Sequence, residues 1–255
     1  MAQLQVVALG PTRYRDGLAL MDELVAARAA GTTGDWLLFP DHEPVLTVGR
    51  NPSEGNLIAD RETLARAGIE LHEVTRGGDV TWHGPGQLVA YPVVGLDLVG
   101  RDLHRWLRTL EDVVIAVLAR HGLEGRRVVG RTGVWLSEHE KIASIGVAVR
   151  RWVGYHGVAL NVSNSLADFD LIHPCGLHGI RMTSMAERLG DRVPSLARVR
   201  TDVTAELVAR LGYDGSDEVP ASAFRARAGI AAAEGASNRG TAGTLPGEPG
   251  GTHAW

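Results

Sequence analysis

Residues 141–163 read KIASIGVAVRRWVGYHGVALNVS, and this stretch decides the fold class of the chain. Apolar residues recur at every second position through residues 141–149 and again through residues 155–162, which is the period of a β-strand with one buried face. The short interval between the two runs favours a hairpin, and a similar run at residues 133–136 precedes them. The sequence therefore predicts three adjacent antiparallel strands.

Helical patterns and further strand patterns surround this region. Residues 102–121 form the clearest helix, with one apolar face and Gly122 as its end. Further helices are predicted at residues 13–30 (between Thr12 as cap and Gly31 as end), at residues 60–67, after a capping box from Ser184 to Glu187, and from Pro194 and Ser195. Further strands are predicted at residues 36–39, 45–48, 69–74 and 88–94. Together these patterns predict an α+β fold with a mixed, largely antiparallel sheet flanked by helices.

Composition divides the chain into two parts. The chain has 255 residues, of which 44% are hydrophobic and 22% are charged, as in ordinary soluble globular proteins. From about residue 214 onward Ala, Gly, Ser, Pro and Thr dominate, and such a segment offers too little apolar surface to offset the entropy of ordering it. We therefore predict one folded domain over residues 1–213 and a disordered or loosely attached tail over residues 214–255.

Charge, hydropathy and motif spacing exclude several functions. The longest apolar runs are far shorter than a membrane span, and the first residues lack the pattern of a signal peptide, so we expect a cytoplasmic protein that does not bind membranes. The net charge of −4 does not favour a nucleic-acid partner. No H-E-x-x-H motif or phosphate-binding glycine motif occurs, so we expect neither a metal nor a nucleotide loop.

Lysine and cysteine each occur once, as Lys141 and Cys175, because every other basic residue is arginine. Arginine cannot give up its proton near neutral pH, so a retained lysine indicates a task that needs a titratable amine. Cys175 lies between Pro174 and Gly176, a context that favours a constrained turn and a reactive thiol. The residues alone leave two alternatives open, a lysine that persists by chance on a polar turn and a free structural cysteine.

A glycine-rich segment, RGGDVTWHGPGQ, spans residues 76–87 and is predicted to be a loop that faces a ligand. Gly77 and Gly78 allow a sharp turn and bring backbone N–H groups close to a bound molecule. His83 could accept or donate a proton near pH 7. Small residues in the strands after Lys141 leave room for an extended ligand. The alternatives are a tight hairpin with polar residues for the loop and close backbone packing for the strands.

Three blocks in sequence order, RGGDVTWHGPGQLVAYP, KIASIGVAVRRWVGYHGVALNV and LIHPCGLHG, resemble the octanoyltransferases of protein lipoylation, the lipoate-protein ligase B family. The resemblance covers residues 8–211. It implies the fold of the catalytic module of biotin and lipoate ligases, a catalytic role for the folded domain, and no cofactor.

The activity that this resemblance implies is transfer of an octanoyl group from octanoyl-acyl carrier protein to a lysine of lipoyl domains. The implied acceptors are the lipoyl domains of 2-oxoacid dehydrogenase complexes and the glycine cleavage H protein. The implied catalytic pair is Cys175, which carries the acyl group as a thioester, and Lys141, which stabilises the thiolate and manages protons. The implied substrate-binding residues are Arg76, Gly77, Gly78, Asp79, Val80, Thr81, Trp82 and His83, then Ser144, Ile145 and Gly146, then Gly157, Val158 and Ala159.

The acyl carrier protein is expected to be acidic, so exposed arginines could form its docking patch. The candidate arginines are Arg50, Arg126, Arg127, Arg150 and Arg151. Three rival functions remain at this stage. They are an ATP-dependent lipoate or biotin ligase on the same fold, a non-catalytic binding protein that retains the scaffold, and a hydrolase that uses the thiol.

Overall fold

The computed structural model describes residues 2–53, 55–173 and 179–231. Its strands are β1 (Gln3–Thr12), β2 (Trp36–His42), β3 (Val45–Val48), β4 (Glu70–Glu73), β5 (Val80–His83), β6 (Gln87–Gly95), β7 (Arg126–Val128), β8 (Arg131–Trp135), β9 (Glu140–Arg150), β10 (Val153–Asn161), β11 (Arg181–Met182) and β12 (Gly215–Glu218). Its helices are α1 (Tyr14–Ala29), α2 (Arg61–Ala67), α3 (Leu103–Arg120), α4 (Met185–Leu189), α5 (Leu196–Leu211) and α6 (Ala221–Ala228).

One large sheet and one small sheet contain these strands. The large sheet has the order β12-β1-β2-β6-β10-β9-β8-β7, with β11 paired to β9, and the small sheet has the order β4-β3-β5. In the large sheet β1 is parallel to β12 and β2, and β11 is parallel to β9, while the other neighbours are antiparallel. The predicted class, a mixed and largely antiparallel sheet flanked by helices, is confirmed.

The three strands predicted around residue 141 are confirmed as β8, β9 and β10. In the β9–β10 ladder Gly146 is opposite Gly157 and Ser144 is opposite Ala159, and in the β8–β9 ladder Trp135 is opposite Lys141. Because β10 also pairs with β6, it lies in the interior of the large sheet. The predicted substrate-binding stretches 144–146 and 157–159 are therefore neighbours in the sheet.

Helices bury both faces of the large sheet, as the alternation of side chains along a strand requires. On one face, α3 and α5 pack through residues such as Trp106 and Val203. On the other face, α1 and α6 pack through residues such as Met21 and Phe224. A third, smaller core joins the small sheet to α2 and includes Trp82. None of the helices in the described ranges has the length and apolar character needed to cross a bilayer.

Most predicted helix starts are confirmed by their caps. The side chains of Asp60, Asp102, Ser184 and Ser195 each accept a backbone N–H in the first turn of α2, α3, α4 and α5. The predicted cap of α1 is wrong. Thr12 is the last residue of β1, and its hydroxyl donates instead to the carbonyl of Gly10.

Two segments differ from the prediction. The residues predicted as a loop at 76–87 contain β5, because Val80–His83 pairs with β3 and turns Trp82 into the third core. Beyond the predicted boundary at residue 213, β12 pairs with β1 and α6 places Phe224 edge-on to Trp36, with ring centroids 4.9 Å apart. A few well-placed apolar residues thus attach this segment to the fold. Residues 232–255 lie outside the described part.

Candidate active site

A cleft of about 300 Å³ is lined by residues of both sheets. This volume lies at the lower end of the range for small-molecule sites. Lys141 and every predicted substrate-binding residue except Trp82 line the cleft. The fold therefore brings together three stretches that are separated in sequence.

The segment from Arg76 to Asp79 connects the small sheet to β9. The N–H of Gly77 donates to the carbonyl of Val147 at 2.9 Å, and the carbonyl of Gly78 accepts from the N–H of Asn51 at 3.2 Å. Gly78 has a φ of +85°, a value that favours glycine. The conformation of this segment explains why two glycines follow the arginine.

Arg76 is a buried cation with fixed contacts. Its Nη2 donates to the carbonyl and the hydroxyl of Thr47 at 2.7 and 2.8 Å, and its Nη1 donates to the carbonyl of Gly77 at 3.2 Å. A methyl group on Gly49 would lie 2.8 Å from Nη1, and one on Gly146 would lie 2.9 Å from Cδ. The glycines at these positions therefore make room for the arginine side chain.

The same geometry decides between the two explanations for the small residues of β9 and β10. A methyl group on Gly157 would lie 2.4 Å from the carbonyl oxygen of Ala90 and 2.6 Å from Cδ of Pro92. A methyl group on Gly146 would lie 2.9 Å from Cδ of Arg76. Both glycines line the cleft, but close approach of neighbouring groups is what requires them there.

Trp82 and His83 lie on opposite sides of β5. Trp82 packs in the third core and does not line the cleft, which corrects its predicted place in the site. His83 lines the cleft, and its Nδ1 donates to Oε1 of Gln87 at 2.8 Å. Burial, with added effects from His42 and Arg76, lowers the pKa of His83 to about 3. The predicted proton exchange by this imidazole near pH 7 is therefore wrong, because the ring stays neutral there.

Four buried aromatic and imidazole side chains meet in the cleft, and we call them the ring cluster: Tyr14, His83, Tyr91 and His156. Tyr14 stacks on His83 with ring centroids 5.9 Å apart, and Tyr91 lies edge-on to His156 at 6.2 Å. Burial raises the pKa of Tyr14 to about 12, and burial followed by the charge of Arg76 lowers the pKa of His156 to about 3. The ring cluster is therefore uncharged near pH 7.

Hydrogen bonds fix the ring cluster from behind. The hydroxyl of Tyr91 donates to Nε2 of His42 at 2.9 Å, and Nδ1 of His42 donates to the carbonyl of Thr12 at 2.9 Å. Although histidines gather here, no group of three or more metal-ligating side chains within the described ranges could hold an ion.

Lys141 lies on β9 and is 2% exposed. It precedes by six residues Val147, which is opposite His156 in the β9–β10 ladder. Its Nζ lies 5.3 Å from the centre of the Trp135 ring, a geometry that favours a cation. A methyl group on Gly133 would come within 2.7 Å of its Cε. The N–H of Gly133 donates at 3.2 Å to the carboxylate of Glu111, which is itself buried and ion-paired. The lysine is thus held in a closely packed polar environment.

Cys175 and its neighbours 174 and 176–178 lie outside the described residues. The residues on either side of this gap contact the cleft walls. The N–H of His173 donates to the carbonyl of Asn56 at 2.8 Å, and the side chain of Asn56 donates to Asp79, which lines the cleft. On the other side, Met182 of β11 is opposite Lys141 of β9.

The candidate docking arginines do not share one environment. Arg127 pairs with Asp112 at 2.5 Å and with the buried Glu111 at 2.7 Å, and Arg150 pairs with Asp22 at 3.3 Å. Such pairs reduce the positive potential available to a partner. Their role in docking stays a prediction.

Several cleft residues were missed by the sequence analysis. They are Tyr14, Asn51, Ser53, Tyr91, Gly130, Arg131, Thr132, Trp135 and His156. The sequence offered a signal only for Trp135, which lies on the strand predicted next to that of Lys141. The ring cluster comes from α1, β5, β6 and β10, and no local pattern links those elements.

The fold and the cleft define a class of protein. The chain matches the model of the lipoyl protein ligase A/B catalytic domain over residues 13–208. Its structure is similar to that of a lipoate-protein ligase A, with a TM-score of 0.67 at 18% identity, over 86% of this chain and 90% of that one. A putative lipoate protein ligase from T. acidophilum is similar with a TM-score of 0.61, also at 18% identity, over 86% of this chain and 89% of that one.

Relatives with similar sequences identify the family within the class of lipoyl protein ligases. The chain is 49% identical to the octanoyltransferase of Geobacter metallireducens over 195 residues, which are 76% of this chain and 87% of that protein. It is 46% identical to the octanoyltransferase of Rubrobacter xylanophilus over 209 residues, which are 81% of this chain and 93% of that protein. The chain belongs to the octanoyltransferase family.

Proposed function

We propose that this protein transfers an octanoyl group from octanoyl-acyl carrier protein to a lysine of lipoyl domains, by way of a thioester on Cys175. The observation that carries the proposal is the convergence of Lys141 and the Arg76–His83 segment on one cleft, in a chain of this family. An octanoyl thioester is already activated, so the transfer needs neither ATP nor a metal.

In the first step the thiolate of Cys175 attacks the carbonyl carbon of the octanoyl thioester. A carbon–sulfur bond to the enzyme forms and the carbon–sulfur bond to the carrier breaks. The carrier leaves as a thiol after taking a proton from the ammonium of Lys141, which becomes neutral. Lys141 as an ammonium stabilises the thiolate before attack. Backbone N–H groups of the glycine segment or near Cys175 are candidates to stabilise the oxyanion.

In the second step the amine of the acceptor lysine attacks the enzyme thioester. A carbon–nitrogen bond forms, the carbon–sulfur bond to Cys175 breaks, and the amine loses a proton. Lys141 in its neutral form accepts that proton. His83 is not assigned this task because its imidazole has a strongly lowered pKa and is committed to Gln87.

Contacts of described residues support the pairing of Cys175 with Lys141. The chain before the cysteine is tied to Asp79 through Asn56, and the chain after it runs beside Lys141 in β11. Seven residues, 174–180, separate these two anchored ends. A thiol in so short a connection between two cleft walls is well placed to meet the lysine.

The test is to incubate the protein with octanoyl-acyl carrier protein without ATP and to measure its intact mass. We expect an octanoyl adduct that maps to Cys175 in a peptide digest and disappears when a lipoyl domain is added, with transfer of the same mass to that domain. Cys175→Ser should abolish both the adduct and the transfer. Transfer by Cys175→Ser at the wild-type rate would contradict the covalent mechanism.

The same experiment separates the rival functions. An ATP-dependent ligase would need ATP and free octanoate, and a binding protein would hold the carrier without transferring the group. A hydrolase would release free octanoate even with the acceptor present. Transfer without ATP and without release of octanoate supports the proposal.

The protein partners follow from the same proposal. We propose the acidic acyl carrier protein as the donor, and as acceptors the lipoyl domains of 2-oxoacid dehydrogenase complexes and the glycine cleavage H protein, all in the cytoplasm. Among the candidate arginines, Arg126 is exposed on the edge strand β7, where it is accessible to an acidic donor. Replacement of Arg126 by Glu should raise KM for the carrier without changing kcat.

A further inference from the structure

His156 is the member of the ring cluster that lies farther along the strands from Lys141. Along β9 the cleft-lining residues follow in the order Lys141, Ser144, Ile145 and Gly146, and His156 of β10 is opposite the next residue, Val147. Six residues of an antiparallel strand cover about 20 Å. An extended eight-carbon acyl group covers about 9 Å at ordinary bond lengths and angles. The side chain of the lysine and the thioester occupy part of the remaining distance.

We propose that the ring cluster sets the length of the acyl chain that the enzyme accepts, with His156 as the residue that limits it. This proposal rests on the proposed function, since it assigns the far end of the same cleft. A chain that starts beside Lys141 and runs along β10 meets these four rings, and longer chains are excluded because the rings cannot move aside.

The hydrogen bonds behind the rings explain why the cluster is rigid. A longer chain would have to displace Tyr91 from His42 and leave a buried polar atom without its partner. Such a loss costs about 1–3 kcal/mol, which offsets the gain of about 0.8 kcal/mol from burying each additional methylene group. The fixed charge of Arg76 next to the cluster adds to the cost of pushing a hydrocarbon further.

His156 limits the chain length because of its backbone. It has a φ of +58°, which is uncommon for a residue other than glycine, and it lies where the β6–β10 ladder is interrupted near Pro92. Proline cannot donate to a ladder, so the strand is free to depart from regular geometry there. The left-handed conformation keeps the imidazole in the cleft, 3.4 Å from the hydroxyl of Thr75. An uncommon backbone conformation at a residue that lines a cleft is typical of a functional position.

Glycine at this position gives a clean test, because it adopts this φ without cost and removes only the ring. We expect His156→Gly to raise the ratio of kcat/KM for dodecanoyl-acyl carrier protein to that for octanoyl-acyl carrier protein by about tenfold or more. The matched control is Arg101→Gly, which introduces glycine at a φ of +56° on the exposed surface away from the cleft. This control should leave the ratio unchanged.

A second variant and a second measurement keep the proposal testable if His156→Gly does not fold. His156→Asn tolerates the same φ with a shorter side chain, and its ratio should lie between those of wild type and His156→Gly. Adduct masses on Cys175 after exposure to a mixture of acyl carrier proteins report chain length without turnover. Unchanged ratios and adducts in a folded variant would overturn the chain-length proposal alone. Absence of any adduct in the wild type would instead overturn the proposed function.

Discussion

The cleft contains two buried cations, Arg76 and Lys141, and they are held in different ways. Arg76 is fixed by hydrogen bonds to two atoms of Thr47 and to the carbonyl of Gly77. The Nζ of Lys141 lies over the face of Trp135, 5.3 Å from the ring centre. A guanidinium remains charged at all relevant pH values, whereas an amine can exchange protons.

Because they are held differently, the two residues are expected to contribute to different properties of the protein. Arg76 organises its surroundings, because the glycines beside it are small enough to admit its side chain and its charge helps to keep His156 neutral. Lys141 lies where the proposed chemistry takes place. We therefore expect changes at Arg76 to affect stability first and changes at Lys141 to affect the rate first.

The largest expected effect is that of Lys141→Arg on transfer. Arginine keeps a positive charge that can stabilise the thiolate but cannot accept the proton of the acceptor amine, so octanoyl transfer should fall by about 10²–10⁴-fold. The variant should still fold, as circular dichroism and thermal melting would show. Lys141→Met serves as the control, because it fills a similar volume without charge and should also lose formation of the acyl-enzyme. Near-normal transfer by Lys141→Arg would refute a role in proton transfer.

Arg76→Lys should mainly lower the free energy of unfolding. A lysine cannot reproduce the geometry that reaches both Thr47 and Gly77, so buried acceptors lose their partner, and we expect a loss of about 2–4 kcal/mol in urea denaturation. The control Arg66→Lys makes the same change on the exposed face of α2. If the two variants were equally stable, Arg76 would not have the structural role assigned to it.

The free energy of unfolding should fall at acidic pH, because the folded protein keeps His156 neutral. Its pKa is about 3 in the folded protein, against the ordinary 6.5 of a histidine in an unfolded chain, so between these values the unfolded chain binds more protons. The resulting stability is complete above pH 6.5 and is lost as the pH falls toward 3. Between pH 6.5 and 4.5 the wild type should lose about 2 kcal/mol more than His156→Asn.

Urea denaturation of both proteins at several pH values measures this difference. His104→Asn, which removes an exposed histidine of α3, shows whether loss of any histidine has the same effect. Equal pH dependence of wild type and His156→Asn would contradict the neutral state assigned to the buried ring. This result would leave the acyl-transfer mechanism untouched.

The sequence was most informative where one element explains the pattern. Alternating residues predicted β9 and β10 as antiparallel neighbours, and capping patterns at Ser184 and Ser195 predicted the starts of two helices. It was least informative where distant elements meet. The glycine-rich segment was predicted as a loop, yet a third of it is β5, because pairing with β3 outweighs the local excess of glycine.

In the candidate site, too, local patterns could be predicted from the sequence and contacts between distant elements could not. The stretches that line the cleft could be predicted from blocks of sequence, and only Trp82 was wrongly placed, because strand alternation turns it away from its neighbours. The ring cluster could not be predicted, since residues 14, 83, 91 and 156 meet only through the tertiary fold. The single lysine was predicted from composition, but its contacts with Trp135 and Gly133 depend on the pairing of β8 with β9.

The smallest expected effect tests how closely the fold packs around Lys141. Gly133→Ala and Gly130→Ala both place a methyl group at a left-handed φ, of +117° and +76°, but only the methyl group at 133 meets other atoms. It would lie 2.5 Å from the carbonyl oxygen of Ala143 and 2.7 Å from Cε of Lys141, whereas position 130 is open. Gly133→Ala should therefore be about 1–2 kcal/mol less stable than Gly130→Ala in urea denaturation, and its transfer rate should fall further. If both variants lost the same stability and rate, the space around the lysine would be looser than this packing implies, and Lys141 would be positioned by β9 alone.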